Sequence, residues 1–226
     1  MEIFLDSANL NEIQKWNDMG IIDGVTTNPS IMLKDGAYNM ETRAKEIAKL
    51  IFPHPLSVEV TTNDLSEMIT QSHNFDSWAQ NIVIKIPQIN QDGVPCYGVI
   101  KQLEDSAIKV NATVALSIGQ VMLAAKAGAT YISIFAGRIS DEGGDSSVVI
   151  ADSVDWLERW DYKSKVIVGS IRSVGDAISA ALAGAHIVTI PPAMLTKMAD
   201  HQYTRETVKQ FINDAKKAMD MLDKGR

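Results

Sequence analysis

The chain lacks most of the features that mark a function at once. It has one cysteine, Cys96, so no intrachain disulfide is possible, and this fits a reducing compartment. Cys96 itself reads as a spectator thiol in a loop. The four histidines, His54, His73, His186 and His201, show no metal-ligand spacing, so no metal is expected. No G-x-G-x-x-G follows the first strand-like run, which argues against a dinucleotide fold, and no other cofactor is implied. Basic residues are outnumbered, 21 against 28 acidic, for a net charge of −7. That balance argues against a nucleic-acid partner. It also means that an anionic substrate must be held by local cations. No run approaches the roughly 18 apolar residues of a membrane span, and the N-terminus has no basic region of the secretory kind. A cytoplasmic protein without a membrane partner is expected.

What is present is a regular alternation. Short apolar runs at 3–6, 23–27, 56–61, 81–86, 107–113, 131–135, 165–170 and 187–190 read as strands. Amphipathic patterns around 9–19, 40–51, 64–78, 97–105, 118–128, 147–160 and 173–183 lie between them. Repeated strand–helix units imply parallel strands with helical crossovers. Eight units in 226 residues, without linker or low-complexity stretch, predict an α/β fold, a (β/α)8 TIM barrel in one domain over 1–226. An additional C-terminal helix over 204–222 carries Val208, Phe211, Ile212, Ala215, Met219 and Leu222 at helical spacing. It either covers the barrel or packs on a neighbouring subunit.

Lys85 is the most informative residue. It lies in Asn81-Ile82-Val83-Ile84-Lys85-Ile86-Pro87, which otherwise reads as a buried strand. Alternation puts Lys85 and Val83 on the face opposite Ile82, Ile84 and Ile86. In a sheet covered on both faces, the ammonium is forced out of water, and desolvation favours the neutral, nucleophilic amine. In an edge strand it would instead reach solvent along its methylenes.

Other polar residues fall at strand ends, where barrels place their chemistry. They are Asp6, Thr26 and Asn28, Glu59, Asn111 and Thr113, Ser133 with Phe135 and Arg138, and Ser170 with Arg172. A carboxylate inside an apolar strand is costly unless it is paired. Each residue also has a structural reading: Asp6 as a helix cap, Asn28 as an N-cap before Pro29, Glu59 as an ion-pair partner, the arginines as solvated charges. Together they suit a Schiff-base enzyme. Lys85 would add to a ketone, and Asp6 and Glu59 would move protons, Glu59 through a water shared with Thr113. Arg138, Ser170 and Arg172 would bind a phosphate.

Several segments carry a family resemblance: Phe4-Leu5-Asp6, Gly24-Val25-Thr26-Thr27-Asn28-Pro29-Ser30, Val83-Ile84-Lys85-Ile86-Pro87, Asn111-Ala112-Thr113, Ser133-Ile134-Phe135-Ala136-Gly137-Arg138 and Gly169-Ser170-Ile171-Arg172. Nearly end to end, the chain resembles the transaldolase family, in the small single-domain branch that includes fructose-6-phosphate aldolase. The resemblance implies Lys85 as the Schiff-base lysine, Asp6 as proton carrier, and Glu59 with Thr113 on the catalytic water. It implies Thr26, Asn28, Asn111, Ser133 and Phe135 around the sugar, with Arg138, Ser170 and Arg172 on its phosphate. Sugar phosphates are the implied partners, with a pentameric or decameric homo-oligomer in which the C-terminal helix reaches a neighbour. Transaldolases carry Glu, Asn and Phe where this chain has Glu59, Asn111 and Phe135, whereas the aldolase has Gln for the acid and Tyr for the phenylalanine. The resemblance therefore implies transfer of dihydroxyacetone between sugar phosphates in the pentose phosphate pathway. Release of free dihydroxyacetone is the alternative, and a silent sugar-phosphate-binding barrel is a third reading.

Overall fold

The computed structural model describes residues 1–224. Gly225 and Arg226, the end of the expected domain, lie outside the described residues. In chain order the elements are β1 (Glu2–Asp6), α1 (Leu10–Asp18), β2 (Gly24–Thr26), α2 (Pro29–Lys34), α3 (Met40–Ile51) and β3 (Leu56–Glu59). There follow α4 (Leu65–Asp76), β4 (Ile82–Pro87), α5 (Tyr97–Asp105), β5 (Val110–Ala115), α6 (Ile118–Lys126), β6 (Tyr131–Phe135) and α7 (Ala136–Asp141). The last are α8 (Ser146–Arg159), β7 (Lys165–Gly169), α9 (Val174–Leu182), β8 (Ile187–Ile190), α10 (Pro192–Ala199) and α11 (Gln202–Lys224). Each strand pairs in parallel with the next, and β8 closes on β1, giving the expected (β/α)8 barrel. Helices begin where the sequence supplies side-chain caps, among them Asn9, Asn39, Asp64, Ser117, Asp145 and Ser173.

Three short helices, α2, α7 and α10, fall where the sequence shows no helical period, because fewer than three turns cannot display one. β5 begins later than expected: Ala107 takes a left-handed φ of 63° in the turn after α5, so residues 107–109 precede the strand. β7 stops at Gly169, because Ser170 has a φ of 59°.

Alternation divides the barrel cleanly. Outward residues such as Leu5, Val25, Val58, Ile84, Ala112, Ile134, Val168 and Val188 are buried under the helices. Inward residues form two layers. Toward the N-terminal ends of the strands, Phe4, Ile167 and Ile187 make an apolar plug with Tyr131, whose ring meets Phe4 edge-on at 6.3 Å. Toward the C-terminal ends most inward residues are polar, with Phe135 and Gly169 among them. Gly24 exists for the plug: a β-carbon there would sit 2.7 Å from the Phe4 ring.

The C-terminal helix does not cover the barrel, since no described residue of α11 is buried. Phe211, Ile212, Met219 and Leu222 are exposed along it.

Gly24→Ala is expected to destabilise the fold by about 1–3 kcal/mol, because the plug has no room for a methyl group. Urea unfolding at constant slope would measure this, and an unchanged midpoint would refute the account of the plug.

Candidate active site

Strand register assembles the polar layer. Glu59 pairs with Lys85 and Lys85 with Asn111 in adjacent strands, while Asp6 pairs with Thr26. Closure leaves no edge strand, so the lysine has no route to bulk water along its stem. Lys85 is 4% exposed. Its Nζ donates to the Thr27 carbonyl at 2.9 Å and lies 3.2 Å from Glu59 Oε2. A buried ammonium without such partners would be untenable.

Asp6 does not cap the first helix; Asn9 does. Instead Asp6 Oδ1 accepts from the Thr26 hydroxyl at 2.7 Å, and Thr26 Oγ1 in turn meets Thr189 Oγ1. Since the one Thr26 proton goes to the carboxylate, Thr189 donates to Thr26. Burial pushes the Asp6 carboxyl above its ordinary value, helped by the charges of Asp35 and Glu59. The Thr26 bond and Lys85 oppose that rise.

Asn111 is fully buried, with Oδ1 accepting from Ser133 Oγ at 2.7 Å and Nδ2 donating to Ser57 Oγ at 3.3 Å. Thr113, also fully buried, sits where β5 slips register, and its hydroxyl has no partner among the described residues. Asn28 is both things the sequence allowed. Its Oδ1 caps α2 by accepting from Ile31 N at 2.9 Å, and the residue also lines the central cavity.

That cavity, of about 170 Å³, is bounded by Asp6, Thr26, Asn28, Lys85, Ser133, Phe135, Arg138, Gly169, Ser170 and Thr189. It is smaller than the roughly 300–1,000 Å³ of sites for drug-sized ligands, so it suits a few-carbon fragment. Glu59, Asn111 and Thr113 stand beside Lys85 in the barrel wall rather than on the cavity surface.

At the rim, Arg138 reaches the cavity and has Asp141 at 4.0 Å. Arg172 does not line the cavity. Both its Nη atoms are bonded to the Asp141 carboxylate, which holds the acid below its ordinary value. Gly137 lets these groups converge: a β-carbon there would overlap the Ser170 carbonyl and sit 2.7 Å from Ser170 Oγ and 2.8 Å from Arg172 Nε. Ser170 holds its left-handed backbone without glycine's freedom, a strain of the kind found at ligand sites.

Sequence reasoning missed Thr189, Ser57 and Asp141. Thr189 is the one polar residue of Ile187–Ile190 and Ser57 shares parity with Glu59, so both were findable. Nothing in the sequence links Asp141 to Arg172. Among the described residues no group of three His, Cys, Asp or Glu side chains is placed to hold a metal, and no helix is long and apolar enough to cross a membrane.

The raised Asp6 carboxyl has a consequence for stability. The folded chain binds its proton more tightly than the unfolded chain, so stability falls as pH rises through the window above 3.8. Asp6→Asn should therefore melt higher than the parent near neutral pH, by about 2–4 °C for each kcal/mol relieved. The gap should close as pH falls toward 3.8. Melting curves across pH check this; a gap that is constant with pH would be inconsistent with it.

Residues 3–225 match the family described as Transaldolase/Fructose-6-phosphate aldolase. A probable transaldolase of Lactiplantibacillus plantarum is 40% identical over 216 residues, covering 96% of this chain and 97% of that one. One from Petrotoga mobilis is 40% identical over 222 residues, covering 98% of each. Among solved structures, a mandelate oxidase variant superposes with a TM-score of 0.56 at 15% identity, over 84% of this chain and 63% of its own length. At that identity it speaks for the barrel alone. The family match and the near-full-length relatives place this chain in the transaldolase/fructose-6-phosphate aldolase family.

Proposed function

We propose that this protein is a transaldolase acting through an imine on Lys85. It would move a dihydroxyacetone unit from sedoheptulose 7-phosphate or fructose 6-phosphate to glyceraldehyde 3-phosphate or erythrose 4-phosphate, within the pentose phosphate pathway in the cytoplasm. The observation that carries the reading is Lys85 itself, a buried lysine with a carboxylate 3.2 Å away on the wall of a small polar cavity. Burial of this kind is what a Schiff-base lysine requires.

In this reading Lys85 Nζ adds to the ketone carbon, and loss of water leaves a protonated imine. Asp6 takes the proton of the hydroxyl on the fourth carbon as the bond between the third and fourth carbons breaks. The electron pair of that bond moves into the imine, forming an enamine, and the aldose phosphate departs. The incoming aldose then reverses these steps, and water releases the new ketose. Glu59 and Thr113 handle the water, for which the unpartnered Thr113 hydroxyl is available. Thr26 and Thr189 orient Asp6, while Asn28 and Ser133 bind the sugar hydroxyls and Asn111, behind the cavity surface, holds Ser133. Arg138, Ser170 and Arg172 hold the phosphate, with Asp141 aiming Arg172. Phe135 lines the cavity without a hydroxyl, so the three-carbon enamine waits for an aldose.

The apolar residues of α11 support packing against a second copy of the chain. Deleting residues 202–226 should then reduce the assembly seen by analytical ultracentrifugation to a monomer. An unchanged mass would remove α11 from the interface.

Fructose 6-phosphate cleavage, followed as glyceraldehyde 3-phosphate, tests the reaction. Product is expected only with erythrose 4-phosphate present; equal product without it would make the protein an aldolase. Lys85→Ala should lower turnover by more than about a thousandfold. Phe135→Tyr should raise acceptor-independent cleavage, and no rise would count against the role given to Phe135.

A further inference from the structure

A second cleft, of about 200 Å³, reaches Asp6 from outside the barrel. It runs between α1, α2 and the start of α10, and its walls include Asp6, Ser7, Glu12, Lys34, Asp35 and Pro191. Asp6 thus has two exposures, one into the central cavity and one into this side cleft. Asp35 ends α2 and turns back onto the strand that carries Asp6. Its Oδ2 accepts from Ser7 Oγ at 3.0 Å and from Ala8 N at 2.8 Å, the two residues that follow Asp6. From α3, Arg43 Nη1 donates to the Ala8 carbonyl at 2.6 Å, so the turn is held from both sides.

We propose that Asp35 is a positioning residue for Asp6, fixing the Ser7–Ala8 turn that aims the carboxylate and setting a second negative charge beside it across the side cleft. The inference rests on the reading of Asp6 as the proton carrier. Two carboxylates near one another resist simultaneous ionisation, which favours the protonated form of the more buried one. The Asp35 charge raises the proton affinity of Asp6, as does that of Glu59, while Lys85 lowers it. Glu59 is itself engaged with Lys85, which leaves Asp35 as the outer carboxylate. Glu12 and Lys34 face the same cleft from α1 and α2, and Arg138 faces Asp6 across the central cavity. Because α2 is capped at its start by Asn28, which lines the cavity, and at its end by Asp35, one short helix joins the sugar site to the proton site.

The test is the pH dependence of kcat for fructose 6-phosphate with erythrose 4-phosphate. Asp35→Asn keeps an oxygen for Ser7 and Ala8 but removes the charge. Its acid limb should move to lower pH, with the plateau kcat within about twofold of the parent. Asp35→Ala loses the turn as well, so it should shift the limb and lower the plateau by about fivefold or more. In the parent, 1 M sodium chloride should move the limb toward that of Asp35→Asn, because the cleft opens to solvent. A merely structural role would lower the plateau without moving the limb. Superimposable limbs for the parent and Asp35→Asn, with Asp6→Asn inactive, would overturn this proposal and leave the transaldolase reading intact. Full turnover by Asp6→Asn would instead overturn the reading of Asp6, and this proposal with it.

Discussion

Pairing of β8 with β1 is the constraint on which the site depends. An open sheet of the same strands would present edges to solvent, and a long amine near an edge extends along its methylenes into water. Closure removes that route and leaves Lys85 only polar neighbours inside the barrel: the Thr27 carbonyl, Glu59, and Asn111 one strand over. The reactivity assigned to the lysine is a property of the closed ring of hydrogen bonds rather than of its local segment.

Inside the ring, stability and chemistry are separated by height. Phe4, fitted against Gly24, joins Ile167, Ile187 and Tyr131 in an apolar plug that stabilises the barrel. One residue further along the same face of β1 the layer becomes polar, and Asp6 is held there against the cost of burial. The hydroxyl chain from Thr189 through Thr26 partly offsets that cost. Active sites commonly give up stability in this way, and the plug beneath supplies the margin.

The outer rim follows a different logic. Its parts come from two consecutive units, α7 after β6 and the turn after β7, and they meet because Gly137 has no side chain. Ser170 accepts a left-handed backbone there, and Asp141 restrains Arg172. A guanidinium that is already oriented loses less freedom on meeting an anion, which is the part that the proposed phosphate role gives to Asp141.

The sequence by itself determined the barrel and the inner part of the site, because both are written in short periods. Alternation put Lys85, Glu59, Asn111 and Thr113 on the inward parity, and eight strand–helix units implied closure. The same rule applied to Ile187–Ile190 would have found Thr189. Tertiary structure alone decided the contacts between distant segments. Asp35 reaches the turn after Asp6 across 27 residues, and Asp141 reaches Arg172 across 31. Folding also decided that α11 stands clear of the barrel. A helical period shows that a face is apolar, but what covers it depends on where the chain runs after its last strand.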